Sequence, residues 1–301
     1  MVSRTTDISK VAEGLSRNEV VAIPTETVYG LAANSFSPKA VEKIFNLKNR
    51  PLFNPLIVHL GSIDMLKNVA VDIPPIALKL AQAFWPGPLT MVLNKHPNIP
   101  EIVIAGLKTV AVRIPNHPLT LELLNSLDFP LAAPSANPFG SISPTKADHV
   151  EAYFEDSLQY ILDGGTCSKG IESTIIGFEN GQAIVFRLGS TPIEDIETVI
   201  GQVTLKTTEN KTPVAPGMLD RHYAPATNMQ LTTNSEQTVR SNSNKKLGLL
   251  VFKDKIEHPS VKHQEILSKE GNLEEAAHHL YAALHRLDAL DLELIIAELV
   301  P

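Results

Sequence analysis

The sequence predicts an α/β protein of two units joined by a linker, on three observations. From Val20 to about Lys206, short apolar or β-branched runs bounded by Pro, Gly or Asn alternate with stretches of helical spacing. Composition then shifts to Thr, Asn, Ser, Lys and Pro over 207–246, with almost no apolar periodicity. Beyond it a strand, an amphipathic helix and a further strand occupy 247–301.

In the first unit (1–206), seven runs read as strands: 20–23, 56–60, 89–93, 110–114, 131–133, 175–178 and 183–186. Ile76, Ala77, Leu80, Ala81 and Phe84 follow helical spacing after Pro74-Pro75, and the breaker pair Pro86-Gly87 ends that helix. Thr191-Pro192-Ile193-Glu194 offers another helix start: an N-cap hydroxyl, a proline at the first helical position and a capping-box carboxylate. Residues 207–246 read as a linker. Its 216–225 core combines prolines with Arg221, His222 and Tyr223, more side-chain information than a passive tether uses, so this segment is expected to fold back over a cleft as a lid. In the last unit, 247–252 is a strand. Leu273, Ala276, Ala277, Leu280, Leu284 and Leu287 then share one face of a helix capped by Asn272, with Glu275 three residues on. A strand at 294–297 completes a small Rossmann-like lobe.

With 301 residues, 43% of them hydrophobic and 20% charged, the chain is long enough for two packed domains and unlike a disordered protein. No apolar run approaches the ~20 residues that span a bilayer, and Met1 to Asp7 lacks the basic start and apolar core of a signal peptide. The expectation is a cytoplasmic protein without a membrane partner. One cysteine, Cys167, allows no intrachain disulfide and fits a reducing compartment. A net charge of −7 argues against a broad phosphate-neutralising face, so direct contact with nucleic acid is expected to be weak or absent.

Several ordered strings carry the chemistry: Pro24-Thr25-Glu26-Thr27-Val28-Tyr29-Gly30-Leu31, Lys48-Asn49-Arg50-Pro51, Leu56-Ile57-Val58-His59, Ala133-Pro134-Ser135-Ala136-Asn137, Ile171-Glu172-Ser173-Thr174-Ile175, Phe186-Arg187-Leu188-Gly189, Pro216-Gly217-Met218 and His222-Tyr223-Ala224-Pro225. Each alone is short enough to arise by chance; in this order over some 200 residues they are specific. Together they resemble the Sua5/YrdC/YciO family, the threonylcarbamoyl-AMP synthases that begin the t6A modification of transfer RNA at position 37. The final string is typical of the longer two-domain Sua5 form. The resemblance implies a YrdC-like twisted mixed sheet with helices and an open cleft, then the linker and a C-terminal Sua5 domain over 247–301. Family members carry a glycine-rich turn and a final helix after the last strand, so a chain ending at Pro301 is expected to be either naturally short or truncated.

An enzyme that adenylates a carboxylate must screen a triphosphate and stabilise charge at the α-phosphorus, and needs cations fixed in a groove. Lys48 and Arg50, two apart, face the same side if their segment is extended, and are expected to be catalytic and exposed to the cleft. Arg113 and Arg187 end strands and are the other candidates; the alternative for each is a solvated surface charge. Ser135 and Asn137 flank an alanine on a turn, where small hydroxyl and amide groups can bond phosphate or ribose, or serve the turn alone. By resemblance, Asn54, Thr109, Ser143, Arg187 and Tyr223 join Lys48, Arg50, Ser135 and Asn137 around ATP. Thr27, His59, Ser173, Arg113 and the backbone near Ala133 hold L-threonine, although a lone His on an apolar strand is more often a satisfied core residue. The family's reaction implies bicarbonate or CO2 as third substrate, Mg2+ accompanying ATP, and a downstream tRNA threonylcarbamoyl transferase complex. Glu26 and Glu172 are the acidic residues inside the strings, and the sequence assigns neither as a base.

Other patterns carry nothing. Gly165 to Gly170 has P-loop glycine spacing, but Ile171 and Glu172 stand where Lys and Ser/Thr are needed. Cys167, in a polar loop and expected to be exposed, has no base partner in sequence. His278, His279 and His285 lie on one helix without cysteines, so no metal site is expected. Two rival readings remain: a double-stranded RNA-binding or ribosome-associated module, which would not require the His222-Tyr223-Ala224-Pro225 string, and a carbamoyl-transfer enzyme, whose zinc-finger cysteines one cysteine excludes.

Overall fold

A computed structural model describes residues 2–155, 157–179, 181–206 and 222–301. Its larger sheet has twelve strands among the described residues. Across the sheet they run Ser3–Thr5, Tyr160–Leu162, Val21–Ile23, Gly30–Asn34, Leu131–Ala132, Ile57–His59, Thr109–Arg113, Leu89–Lys95, Thr174–Glu179, Gln182–Arg187 and Thr204–Leu205, with Ala70–Val71 paired to Leu89–Lys95. Parallel and antiparallel pairs mix: Ile57–His59 lies parallel to Thr109–Arg113, which is antiparallel to Leu89–Lys95. All seven expected strand runs form. Gly30–Asn34 (Gly-Leu-Ala-Ala-Asn) carries almost no local β signal and becomes a strand because it is paired on both sides and nearly all of it is buried.

The helix Pro75–Phe84 forms where its spacing placed it. The one at Ile193–Ile200 does too, but Pro192 sits at the cap and no side chain caps it. Thr191 instead donates its backbone N–H to Thr174 Oγ1 at 3.1 Å. Pro38–Lys48 was not foreseen, although Ser37-Pro38 is a start signal: the Ser37 hydroxyl accepts from the Ala40 N–H, and Val41, Ile44 and Phe45 bury one face.

The second sheet has four parallel strands in the order Met229–Thr232, Leu294–Glu298, Leu247–Val251, Val261–Ile266. The helix Leu273–Asp288 packs on it, and Asn272 caps it by accepting from the Glu275 N–H at 2.9 Å. The expected linker 207–246 is therefore too long. Met229–Thr232 is a strand held by its pairing with Leu294–Glu298, and Ser235–Ser241 is a helix started by the Asn234 cap. Local periodicity is weak there because the ordering comes from a partner more than sixty residues away. Residues 216–221 of the expected lid lie outside the described residues.

The two lobes share apolar core: Val28 and Ile142 of the first belong to one buried cluster with Leu250, Leu267, Tyr281 and Leu284 of the second. Stacked rings of His149 and His285, 3.7 Å apart, add to the contact. Gly170, at φ +75°, packs so tightly on the His278 backbone that a Cβ would lie 2.3 Å from its carbonyl oxygen. No helix among the described residues is long and apolar enough to cross a membrane.

Candidate active site

Strand register brings most of the sequence candidates onto one cleft. Ile57 and His59, two apart on a strand, present the same face, and His59 pairs in register with Arg113. Ser173 immediately precedes the strand Thr174–Glu179, and Arg187 ends its antiparallel neighbour. Thr27 lies in the connection between Val21–Ile23 and Gly30–Asn34. The cleft spans about 680 Å³ of space, part of it open to solvent. Lys48, Arg50, Thr27, His59, Arg113, Ala133, Ser135, Asn137, Ser173, Arg187 and Tyr223 all line it.

Lys48 and Arg50 reach it by a route other than an extended segment. Lys48 ends a helix, where a cation complements the macrodipole, and Asn49 takes the left-handed conformation at φ 51° that turns the chain into Arg50. Nor are they exposed: Lys48 is 1% and Arg50 9% accessible. The Lys48 ammonium donates to Ser135 O at 2.5 Å and to Asn137 O, while Arg50 donates to Asn54 O at 3.2 Å and Pro55 O at 2.8 Å. Burial holds Lys48 well below the usual lysine range, with Arg50 adding repulsion, and burial brings Arg50 down to about 10. Arg187 donates to Ser173 O and Oγ at 2.9 and 3.0 Å and to the Tyr223 hydroxyl at 3.3 Å.

Beside these cations lies a pocket of hydroxyls around a single guanidinium. Arg113 donates to Thr27 Oγ1 at 2.9 Å and Gly87 O at 3.1 Å. It also stands 2.6 Å from Glu26 Oε1 without hydrogen-bond alignment, while Glu26 Oε2 accepts from the Asn116 N–H at 2.9 Å. Thr25 and Thr27 hydroxyls are 2.8 Å apart, as are those of Thr90 and Ser173. His59 is buried, its Nδ1 without a hydrogen-bond partner among the described residues; burial first, then Arg113, lowers it to about 3, so the imidazole is neutral at physiological pH.

Three expected ATP contacts do not line the cleft. Thr109 begins the strand that Arg113 ends, about 13 Å away at ~3.3 Å per residue. Asn54 is fully buried behind Arg50 and holds it through its carbonyl. Ser143 is fully buried and donates to Glu172 Oε1 at 2.6 Å. Asn137 serves its turn, its Nδ2 donating to Pro138 O and Ser141 O, while its Oδ1 is buried without a partner among the described residues. Thr25, Gly30, Phe139 and Gly140 line the cleft unforeseen, though all adjoin the recognised strings. Cys167, contrary to expectation, is 2% exposed, and burial pushes its thiol up to about 12.

The described end of the expected lid sits on this cleft. Ala224 bridges Ser141, its N–H donating to Gly140 O at 3.0 Å. The His222 ring meets Phe139 edge-on at 5.4 Å, and Tyr223, held at φ 57°, is tilted against Tyr281 at 5.8 Å. Burial lowers His222 to about 4, with Arg50, Arg187 and Lys48 adding to the effect, and burial pushes the Tyr223 phenol up to about 12.

The cleft thus gathers four cations, Lys48, Arg50 and Arg113 buried and Arg187 half-buried, with the Glu172 carboxylate lining it and Glu26 beside Arg113, both already engaged. Uncompensated buried cations are costly, and a polyanion would relieve that cost.

Comparison with known proteins agrees with this chemistry. The Sua5, YciO and YrdC family model, described as telomere recombination, matches residues 13–189, and one described as the threonylcarbamoyl-AMP synthase C-terminal domain matches 191–301. Threonylcarbamoyl-AMP synthase of Pyrococcus abyssi is 39% identical over 96% of this chain and 88% of its own length. That of Bacillus subtilis is 38% identical over 98% of this chain and 88% of its own. The crystal structure of P. abyssi Sua5 complexed with L-threonine superposes with a TM-score of 0.92 at 36% identity, covering 100% of this chain and 93% of that one.

Proposed function

The chain belongs to the Sua5/YrdC/YciO family of threonylcarbamoyl-AMP synthases, in its two-domain Sua5 form, and from that premise we propose how its cleft works. It joins L-threonine, bicarbonate or CO2, and ATP into threonylcarbamoyl-AMP and pyrophosphate, the activated group used for t6A. The observation that carries this reading is the juxtaposition, in one cleft, of buried Lys48 and Arg50 and half-buried Arg187 with the Arg113–Thr27–Ser173–His59 pocket.

In this reading Arg113 takes the threonine carboxylate, a match for guanidinium geometry, while Thr27, Ser173, neutral His59 and the backbone at Ala133 surround the rest of the amino acid. The threonine amine is carboxylated first. A carbamate oxygen then attacks the α-phosphorus in line, forming the new P–O bond as the bond to the bridging oxygen breaks and pyrophosphate departs with that electron pair. No covalent enzyme intermediate is required, so positioning and fixed cations supply the acceleration. Lys48, Arg50, Ser135, Asn137 and Arg187 receive the nucleotide, Tyr223 closes over it, and Asn54 and Ser143 act from behind through Arg50 and Glu172. Thr109 has no part.

Mg2+ enters with ATP. Glu172 in the cleft and Glu26 beside Arg113 are both engaged by protein groups, so phosphates and water would be its ligands, as is usual for this ion. Catalysis belongs to the 1–206 unit, with His222 and Tyr223 as its cover. The product passes to a tRNA threonylcarbamoyl transferase.

Pyrophosphate release, with threonine, bicarbonate and ATP omitted in turn, tests the reaction. Release is expected with all three substrates; equal release without threonine refutes the assignment.

A further inference from the structure

The second lobe enters the cleft chemistry through the Tyr281 hydroxyl. Tyr281, on the helix Leu273–Asp288, is 5% exposed, and its Oη donates to Glu172 Oε2 at 2.5 Å. Ser143 Oγ donates to the other oxygen, Oε1, at 2.6 Å. Glu172 is 8% exposed and lines the same cleft as Lys48, Arg50 and Arg187. It therefore places a carboxylate beside the cations proposed to bind a triphosphate, where an unrestrained carboxylate would pair with those cations and compete with phosphate for their donors.

We propose that Tyr281 is a positioning residue for ATP: with Ser143 it ties both oxygens of Glu172 to neutral hydroxyls, keeping the carboxylate off the phosphate-binding cations. This rests on the assignment of the cationic half of the cleft to ATP. The phenol is well placed to act as a fixed restraint. Its ring is packed in the apolar cluster that Val28 and Ile142 share with Leu250 and Leu284, and it leans on Tyr223, which itself lines the cleft. An anionic acceptor strengthens both hydroxyl donations relative to neutral pairs. Docking of the second lobe thus sets the electrostatics of a site built almost wholly by the first, and nucleotide affinity depends on that docking while threonine affinity does not.

Tyr281→Phe removes only the hydroxyl and keeps the ring that the core requires. ATP and L-threonine affinities are read by calorimetry on the full chain, in the wild-type and Glu172→Gln backgrounds. ATP binding is expected to weaken about tenfold in Tyr281→Phe, the scale of one lost hydrogen bond to a charged group, with threonine binding within about twofold of wild type. In the Glu172→Gln background, where no carboxylate needs restraint, the same substitution is expected to change ATP affinity less than about twofold. A purely structural phenol would weaken binding equally in both backgrounds, and that result, or unchanged ATP affinity in Tyr281→Phe, overturns the proposal. Should Tyr281→Phe fail to fold, Ser143→Ala reads the same restraint from the other carboxylate oxygen, with the same expected split between ATP and threonine. Calorimetry needs no turnover, so a wild-type chain that binds ATP yet releases no threonine-dependent pyrophosphate refutes the reaction and leaves the Tyr281 measurement decisive. A wild-type chain that does not bind ATP overturns both.

Discussion

Replacing Lys48 by Met separates what this side chain does for the fold from what it does for catalysis. Methionine keeps most of the aliphatic stem in the buried space at the helix end and removes the ammonium. Two carbonyl oxygens, of Ser135 and Asn137, then lose their donor. An orphaned buried acceptor costs about 1–3 kcal/mol. Two effects reduce this: Ser135 borders the cleft, where water can replace the lost donor, and the substitution also removes a buried cation whose own desolvation opposes folding. The net loss should be about 1–2 kcal/mol, or roughly 2–8 °C in Tm for a domain of this size. Catalysis should suffer more, because a preorganised donor at a developing charge contributes about 2.7–4 kcal/mol, equivalent to roughly 10²–10³ in kcat. The assays are saturating-ATP pyrophosphate release and thermal unfolding with and without ATP; the variant should also lose most of the stabilisation that ATP gives the wild type. A kcat within about threefold of wild type would refute the assignment, whatever the Tm. The exposed position expected from the sequence would have left folding untouched, so a measured Tm loss also tests the burial seen here.

Three further outcomes follow from the same geometry. Serine should be disfavoured against threonine by only roughly 1–3 kcal/mol in kcat/KM, the reach of one methyl group, while alanine should be rejected more strongly; equal kcat/KM for alanine and threonine would contradict a pocket that reads the hydroxyl. Tyr223→Ala should lower the yield of intact threonylcarbamoyl-AMP more than it lowers pyrophosphate release, because an open cleft admits water to a hydrolysable acyl-adenylate; equal yields on both measures would return the segment to a tether. Burial lowers His149 to about 3 and His285 to about 4, with Lys146 adding to both and Asp148, Asp288, Arg286 and Tyr153 close by. Histidines held neutral contribute their full stability above their ordinary pKa of 6.5 and lose it as pH falls toward 4. Tm should therefore drop between pH 6.5 and 4.5, and His285→Phe should flatten that drop; an unchanged slope would remove the pair as its source.

The seven strand runs and the helix capped by Asn272 were legible because each carries its signal locally, as branched apolar residues between breakers or an apolar face with a cap. The strings of the cleft were legible by their order and spacing, which is how Lys48, Arg50, Arg113, Ser173 and Arg187 could be grouped before any contact was known. Gly30–Asn34 and Met229–Thr232 were not, since partner strands order them and nothing in their own composition does. The sequence alone therefore determined the fold class and the chemical kind of site: a run of cations and hydroxyls with the histidines His59 and His222. Only the tertiary structure decided that Lys48 and Arg50 are buried rather than exposed, that Thr109 stands at the opposite end of its strand from Arg113, and that Tyr281 of the second lobe holds Glu172 of the first. Burial and long-range pairing depend on which surfaces meet once strands and lobes pack. Residues 109 positions apart, such as Glu172 and Tyr281, carry no periodicity that records their meeting.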